Sequence, residues 1–267
     1  NGAFKIEVFP GGTLNRVPPK QLKVLRDGVA DLAFILPYYT PGIFADDAVV
    51  EIPFLTDNDA ITSSMAIFRM YQKGLLRNYD TIIPLFVGTG QQYAIHSTIP
   101  IKVPKDLKGK KIRAAGEIQI AIAKELGAAP VGMPVTKIAE SMSRNLIQAT
   151  TNEWNGTRTF KIVDVAKYHC MVPLGTSTFL MAMNKASFNK LPDEAQDMLI
   201  NYREYTTRLW ANEMDKSLNE YHKQIEKDPK HIVYHPTESE LALWKSVIDK
   251  AVQKWLKKNP SRQKLLD

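Results

Sequence analysis

The feature that most constrains the fold is a regular alternation between short apolar runs and segments with helical spacing. Residues 4–9 (FKIEVF) alternate like a strand, and residues 19–29 place apolar side chains at helical intervals. Residues 31–36 (DLAFIL) then form a continuous apolar run, which is typical of a strand that is covered on both faces. The first forty residues therefore predict a strand, a helix and a second strand.

A second series of the same kind begins at Lys110. It predicts a strand over 110–116, a helix over 117–127, a strand over 129–135, a helix over 136–146 and a strand over 147–154. A predicted helix at 60–73 and an apolar segment at 81–87 lie before it. Alternating strands and helices indicate an α/β fold, and two series separated by residues 88–92 predict two α/β lobes.

The chain then returns toward the first lobe through a third strand-like run, TFLMAM at 178–183. A crossing at 88–93 and a return near 177–179 predict a two-strand hinge of the kind found in two-lobed periplasmic binding proteins, with a cleft between the lobes. We predict that lobe I comprises residues 1–90 and 178–210, and that lobe II comprises 91–177 and 211–235. Residues 236–267 are predicted to form a C-terminal helical segment.

The segment after Pro192 is predicted to be a long helix. Pro192 suits a first helical turn, and no proline or glycine occurs from there to Lys227. Such a helix would be roughly 50 Å long, which exceeds one small lobe, so we expect it to span both lobes. Two helices separated by a kink are the alternative. The final helix is predicted to begin with a capping box formed by Thr237 and Glu240.

Composition and motifs exclude several classes of function. The net charge of +7 comes from 35 Lys and Arg against 28 Asp and Glu, and it serves either solubility or the attraction of anions. The basic residues are dispersed and no basic block is interleaved with aromatics, which argues against nucleic-acid binding. No apolar run approaches the roughly 18–20 residues that span a bilayer. Known nucleophile, metalloprotease and nucleotide-binding motifs are absent from the sequence, so nothing recommends an enzyme.

The cysteine and histidine content is equally restrictive. The single cysteine, Cys170, cannot form an intrachain disulfide, which fits either the cytoplasm or a Gram-negative periplasm, and we expect it to be inert. His231 and His235 are close in sequence but lack a third ligand, so we predict surface residues and no metal site. The chain opens on Asn1-Gly2 without a signal peptide, which we interpret as a mature or truncated chain.

Several segments resemble the solute-binding subunits of TRAP transporters, the DctP type. Residues 104–113 (PKDLKGKKIR) look like the family's P-x-D-L-K-G-x-K-I-R, and residues 125–134 (ELGAAPVGMP) are similar to its LGA-P-V-x-MP. The matches keep the family's order over nearly the whole chain. The others are GVADLA at 28–33, EIPFL at 51–55, Trp154 with FKI at 160–162 and VAKYH at 165–169, TF at 178–179, MNK at 183–185, and the L-P-x-x-x-Q pattern at 191–196.

The resemblance implies two α/β lobes that close on a ligand, a long helix that spans both, and delivery to the membrane subunits of a TRAP transporter. It implies a periplasmic, non-catalytic protein whose signal peptide has been removed and whose ligand is a small organic carboxylate. We expect no cofactor, no metal, no nucleic-acid partner and a monomeric state. The resemblance also implies a strand and a helix ahead of Asn1, so we expect lobe I to be incomplete in this chain.

The site prediction depends most on Arg113. It ends a strand that opens onto a helix, where a guanidinium can bind a carboxylate through two parallel hydrogen bonds, and the resemblance gives the matching arginine this role. The alternative is a surface arginine that pairs with Glu117. Trp154 is predicted to offer a flat apolar wall with one N–H donor, unless it is a core tryptophan. Asn152 aligns with a ligand-contacting position in part of the family, although QATT at 148–151 departs from the Asp- and Gly-rich motif of many members.

The remaining predicted ligand contacts lie near the crossings and at the end of a lobe I strand. Gln91, Gln92 and Tyr93 are at the first crossing, and some family members carry a second arginine near the position of Gln92. Its absence argues against ligands that need two arginines, such as a sialic acid. Tyr38, next to Tyr39, and Phe179 are predicted pocket aromatics, with core positions (for Tyr38, core or surface) as the alternative. This lining favours an aromatic or medium-chain carboxylate, and a small hydroxy or keto acid is equally compatible.

Other function classes fit parts of the pattern. A binding protein of the ABC-transporter type, or one that feeds a sensor kinase, would also bind an organic anion between two lobes, although the order of the motifs argues against the ABC type. An enzyme on a two-lobed scaffold, such as a transferase, would need a polar catalytic cluster in the cleft, and the sequence contains no evident one.

Overall fold

A three-stranded sheet organises the first lobe. The computed structural model describes residues 5–56 and 59–266. The sheet contains β1 (Leu32–Ile35), β2 (Ile83–Thr89) and β8 (Thr178–Met183), with β8 in the centre and antiparallel to both neighbours. The predicted return strand at 178–183 is therefore confirmed, and it joins the sheet of the first series.

A six-stranded mixed sheet organises the second lobe. Its order is β5-β4-β6-β3-β7-β9, and β4 lies parallel to both β5 and β6. Its strands are β3 (Ala94–Ser97), β4 (Lys111–Arg113), β5 (Ala129–Val131), β6 (Ala149–Asn152), β7 (Tyr168–Cys170) and β9 (Ile232–Tyr234). The mixed α/β class and the two lobes predicted from the sequence are confirmed, whereas the residue boundaries between the lobes stay a prediction.

Helices cover both sheets. They are α1 (Gln21–Arg26), α2 (Ala60–Gln72), α3 (Glu117–Glu125), α4 (Ile138–Ser143), α5 (Trp154–Thr159), α6 (Lys185–Phe188), α7 (Asp193–Asn201), α8 (Arg203–Lys227), α9 (Glu238–Lys258) and α10 (Pro260–Gln263). Helix α9 begins with the predicted capping box of Thr237 and Glu240. Its buried face includes Trp244 and Trp255 and packs against α3. Within residues 5–56 and 59–266, no helix has the length and apolar character needed to cross a membrane.

Two crossings side by side connect the lobes. The chain passes from β2 to β3 and returns from β7 to β8, and the two passages are joined by backbone hydrogen bonds. Tyr93 N donates to Gly175 O at 2.7 Å, and Leu174 N donates to Tyr93 O at 3.1 Å. This is the predicted two-strand hinge.

Helix α8 spans both lobes. Its first half packs against α2 and β2 of lobe I, and its second half packs against α5 and β9 of lobe II. The Asp215 carboxylate, in the middle of α8, accepts hydrogen bonds from the amide of Ala60 at the start of α2 (2.8 and 3.0 Å). A carboxylate at a helix start satisfies amides that have no partner within the helix and interacts favourably with the helix dipole.

The long helical segment is broken once. Residue Tyr202 separates α7 from α8, so the alternative of two helices is the correct one for residues 192–227. Helix α8 alone, at 25 residues, is roughly 37 Å long. The spanning role therefore belongs to α8 rather than to a single 50 Å helix.

The predicted strand at 4–9 is wrong for the residues that the structure describes. Residues 5–9 adopt no regular structure, and Ile6 and Val8 are 70% and 74% exposed. Phe4, like Asn1 and Gly2, lies outside the described residues. A strand is stabilised by hydrogen bonds to a neighbour, and in the described part of the chain no strand pairs with this segment. Alternation alone was therefore a misleading signal.

Candidate ligand-binding site

A cleft between the lobes encloses a cavity of about 1360 Å³. Lobe I, the hinge, lobe II and α8 all contribute to its walls. The wall residues on which the site depends are Phe34, Tyr38, Tyr39, Tyr93, Val135, Thr136, Asn152, Glu153, Asn155, Phe179 and Trp210. The cavity also extends along the segment 5–9, which makes it larger than the roughly 300–1000 Å³ of a typical small-molecule pocket.

Arg113 lies beneath the cavity at the end of β4. Its side chain is 1% exposed, since β4 is flanked by β5 and β6 in the middle of that part of the sheet. Its Nε donates to Met133 O at 3.2 Å, and its Nη1 donates to Asn152 Oδ1 at 3.5 Å. Its Nη2 is buried and has no hydrogen-bond partner in the described part of the chain. A buried cation with an unused donor is costly unless an anion compensates it.

The alternative partner of Arg113 is engaged elsewhere. The Glu117 carboxylate forms an ion pair with Arg262 at 3.0 Å. The surface pairing of Arg113 with Glu117 is therefore wrong. The C-terminal helices occupy Glu117, and Arg113 instead contacts Asn152 of the cavity wall.

Tyrosine hydroxyls surround the arginine. Burial raises the pKa of Tyr38 and of Tyr93, so both hydroxyls stay neutral and can donate hydrogen bonds. Burial alone would lower the pKa of Arg113, but the neighbouring tyrosines, Tyr38 first among them, raise it, and the guanidinium stays charged. Tyr93 Oη donates to Ser177 Oγ at 2.7 Å, which fixes its ring across the hinge.

A hydrogen bond joins the two lobes at the rim of the cavity. The amide of Val135, in lobe II after β5, donates to Tyr39 Oη at 3.0 Å. Tyr39 itself belongs to lobe I, in the turn after β1, and its ring lies 4.2 Å from that of Tyr38. This contact holds the lobes together at the rim of the cavity.

Three aromatic rings form an apolar wall on the lobe I side. Phe34 on β1, Phe179 on β8 and Trp210 on α8 have ring centroids 5.4 to 5.7 Å apart. Phe179 was predicted from the sequence to line the pocket, whereas Phe34 and Trp210 were not. Phe34 sits in a run interpreted as covered on both faces, yet it is 36% exposed and faces the cavity. Trp210 immediately precedes the buried Ala211 in α8, so the sequence does not distinguish it from a core residue. Only the placement of β8 shows that this side of the helix meets a cavity.

Glu153 is a third residue of the cavity wall that was not predicted from the sequence. It precedes α5, and its Oε1 accepts a hydrogen bond from the Gly156 amide at 2.6 Å. The residue is 6% exposed, and burial raises its pKa to about 7. Its position immediately after Asn152 and at a helix start was the available sequence signal.

The structure brings together five of the eight predicted ligand contacts. Tyr38, Tyr93, Asn152 and Phe179 line the cavity, and Arg113 lies directly below Asn152. Their ligand contacts stay a prediction.

The other three predicted contacts lie outside the cavity wall. Trp154 is 2% exposed and packs in the lobe II core with its ring 4.8 Å from that of His96, because it starts α5 instead of ending a strand. Gln91 Nε2 donates to Asp215 Oδ1 at 3.3 Å, and Gln92 Nε2 donates to Thr56 Oγ1 at 2.8 Å. The two glutamines thus attach the hinge to α8 and to lobe I.

The expected surface position holds for only one of the two C-terminal histidines. His235 is 61% exposed in its side chain, whereas His231 is 5% exposed. The reason is that β9 pairs with β7, and this brings His231 to 2.9 Å from His169. His169 in turn lies 2.8 Å from His96, which completes a buried row of imidazoles.

Comparison with known proteins gives a consistent result. A family model described as bacterial extracellular solute-binding protein, family 7 (DctP), matches residues 1–259. The 2,3-diketo-L-gulonate-binding periplasmic protein YiaO of Escherichia coli is 25% identical over 225 residues, which cover 82% of this chain and 68% of that protein. The C4-dicarboxylate-binding periplasmic protein DctP of Rhodobacter capsulatus is 24% identical over 261 residues, 93% of this chain and 75% of that protein.

Solved structures share the whole fold. A marine metagenome TRAP solute-binding protein specific for aromatic acid ligands, in complex with meta-hydroxyphenylacetate, superposes with a TM-score of 0.91. It is 26% identical, and the match covers 99% of this chain and 86% of that one. A TRAP solute-binding protein from Rhodoferax ferrireducens with copurified benzoate also reaches 0.91, at 24% identity and with 99% and 85% coverage.

Proposed function

Because this chain belongs to family 7 of the bacterial extracellular solute-binding proteins, we propose that it captures an aromatic monocarboxylate in the interlobe cleft. The captured acid is then delivered to the membrane subunits of a TRAP transporter. Closure of the two lobes about the hinge buries the acid, and Arg113 compensates the loss of hydration of its carboxylate.

The observation that carries the proposal is the buried guanidinium of Arg113 with an unused donor, Nη2, at the base of the cleft. A carboxylate that bridges Arg113 and the side chain of Asn152 would use that donor, and the Tyr38 hydroxyl, which neighbours the guanidinium, would donate to the same anion. Charge-assisted hydrogen bonds in a site that excludes water are the strong ones, which suits the selection of an anion.

The aromatic wall supports an aromatic body for the ligand. Phe34, Phe179 and Trp210 present ring faces and edges to the cavity, and aromatic rings prefer offset or edge-to-face contacts at such spacings. The metagenome protein at 26% identity is specific for aromatic acids, which favours the same class here.

We further propose that the protein acts in the periplasm as a non-catalytic monomer without a cofactor. Membership of a family of extracellular solute-binding proteins supports this location. We also propose the division into lobe I, lobe II and a C-terminal segment. It is supported by the topology, because the chain passes from one sheet to the other near residue 90 and returns near residue 178.

Calorimetric titration with benzoate, meta-hydroxyphenylacetate, galacturonate and pyroglutamate tests the proposal. We expect the two aromatic acids to bind most tightly. Arg113→Lys keeps the positive charge but loses the pair of parallel N–H donors, so it should weaken binding of the acid by about tenfold or more. Arg144→Lys, at an arginine of lobe II that is 69% exposed, is the matched control and should bind like the wild type.

The outcomes separate the parts of the proposal. If galacturonate alone bound tightly, the proposal of an aromatic ligand would be refuted, but the proposal that the cleft captures a carboxylate would stand. Failure of every acid to bind a correctly folded protein, or full affinity in Arg113→Lys, would refute the role of Arg113.

A further inference from the structure

A cluster of two histidines and one glutamate lies at the lobe II end of α8, away from the cavity wall. His222 and Glu226 are one helical turn apart on α8, and His235 follows β9. One ligand atom from each residue lies within 4.8 Å of the other two. Glu226 Oε1 is 2.9 Å from His235 Nε2 and 3.5 Å from His222 Nε2.

The spacing matches the requirements of a small tetrahedral ion. Zinc binds imidazole nitrogen and carboxylate oxygen at about 2.0–2.2 Å, which puts neighbouring ligand atoms about 3.3 Å apart. The two distances to Glu226 bracket that value. The side chains of Glu226 and His235 are 38% and 61% exposed and are free to adjust, and three protein ligands leave a fourth position open to water.

The surroundings of His222 suit it to act as a metal ligand. Its ring stacks on Trp154, with centroids 4.9 Å apart and an interplanar angle of 28°. Its Nε2 is buried and makes no hydrogen bond in the part of the chain that the structure describes. A buried polar atom without a hydrogen bond is unfavourable, and a metal bond would satisfy it.

We propose that His222, Glu226 and His235 form a binding site for a divalent transition metal of the zinc class. Two imidazole nitrogens select such ions over magnesium and calcium, which prefer all-oxygen ligands. The bound ion would link the end of α8 to the residue that follows β9, and so fix the edge strand of the lobe II sheet. Through the stacked His222 it would also immobilise Trp154, which follows Glu153 of the cavity wall.

The test is a calorimetric titration of the tag-free full chain with zinc chloride at pH 7.5, without any organic acid. We expect one zinc ion per chain and a rise in melting temperature of about 5 °C at saturation. Magnesium should leave the melting temperature unchanged. Because no acid is present, the result is independent of the proposed carboxylate function.

Variants assign the zinc ion to the cluster. His235→Asn and Glu226→Gln alter exposed side chains, and each should weaken zinc binding by about tenfold or more. Glu220→Gln, at an exposed glutamate of the same helix, is the matched control and should bind zinc like the wild type. Failure of the wild type to bind zinc, or equal binding by His235→Asn and the wild type, would overturn the proposal.

Discussion

Glu153 is a carboxyl group placed beside the position where an anion is proposed to bind. Its Oε1 is satisfied by the Gly156 amide, whereas its Oε2 is buried without a hydrogen bond among the described residues. In its protonated form the same group would be a donor to a ligand carboxylate, and in its charged form it would repel one. The raised pKa therefore matters for both folding and binding.

The pH dependence of stability follows from that shift. The folded state holds the Glu153 proton up to a pH of about 7, whereas the unfolded chain releases it near its ordinary value of 4.5. Its contribution to stability is therefore complete below pH 4.5 and is lost as the pH rises through about 7. Glu153→Gln should be more stable than the wild type at pH 8 by about 1–3 kcal/mol, with the difference falling toward zero near pH 4.5.

Chemical denaturation at a series of pH values measures this effect. Glu213→Gln, at an exposed glutamate of α8, controls for the loss of one negative charge. The affinity of the wild type for benzoate should also fall between pH 6 and 8, and Glu153→Gln should lessen that fall. Parallel stability curves for Glu153→Gln and the wild type would contradict the assignment.

For single residues, the sequence predicts position in an element more reliably than it predicts a role. The predicted position of Arg113, at a strand end ahead of a helix start, is confirmed, whereas its contact with a ligand stays a prediction. Trp154 lies in the core, which was the alternative to its predicted place in the cleft, and Phe34 of the apolar run at 31–36 was not predicted to line the cavity. A single sequence shows that a ring is apolar but not which of two apolar surroundings, core or cleft, it meets.

At the scale of elements, β2 and α8 approach each other closely beside the hinge. A Cβ atom on Gly88 of β2 would lie 2.7 Å from Trp210 Cδ1 and 3.3 Å from Ser64 Oγ. Only a glycine lets α8 and α2 approach the strand this closely, and the Trp210 indole uses the proximity to donate to Thr89 O at 3.0 Å.

We expect Gly88→Ala to destabilise the protein by about 1–3 kcal/mol, because the added methyl group separates α8 from β2. Thermal melting measures the loss. Gly42→Ala is the matched control, since a Cβ there meets nothing within 4 Å, and its stability should be unchanged or slightly higher. If both variants melted alike, the close packing of Trp210 would not be the cause.

The elements themselves were largely predictable because apolar periodicity directly reflects burial. The helix at 60–73 and the capping box at Thr237 were both confirmed within a residue or two. A break in the long helix was only the alternative, without a position for it, and the irregular segment 5–9 was predicted to be part of a strand. Neither carries a local signal, since no proline or glycine marks Tyr202 and alternation does not reveal whether a partner strand exists.

At the scale of the whole molecule, the two lobes are joined at the rim of the cavity as well as at the hinge. The hydrogen bond from the Val135 amide to Tyr39 Oη joins the turn after β1 to the turn after β5. A neutral hydrogen bond contributes about 0.5–1.5 kcal/mol, so its loss would shift the balance between open and closed lobes without preventing either.

Tyr39→Phe removes this bond and keeps the ring next to Tyr38. We expect benzoate to bind about two- to tenfold more weakly, mainly through faster dissociation, which stopped-flow mixing would measure. Tyr205→Phe, at a tyrosine of α8 that is 60% exposed, serves as the control. Unchanged dissociation in Tyr39→Phe would indicate that this bond does not stabilise the closed form.

The position of Trp210 has an optical consequence. All four tryptophans lie in the described part of the chain, and Trp154, Trp244 and Trp255 are at most 5% exposed in the core. Trp210 lines the cavity, beside the hinge and stacked 5.0 Å from Phe86. An acid that enters the cleft changes the polarity around this indole and leaves the other three in place, so the chain carries its own fluorescent probe for occupancy of the cleft.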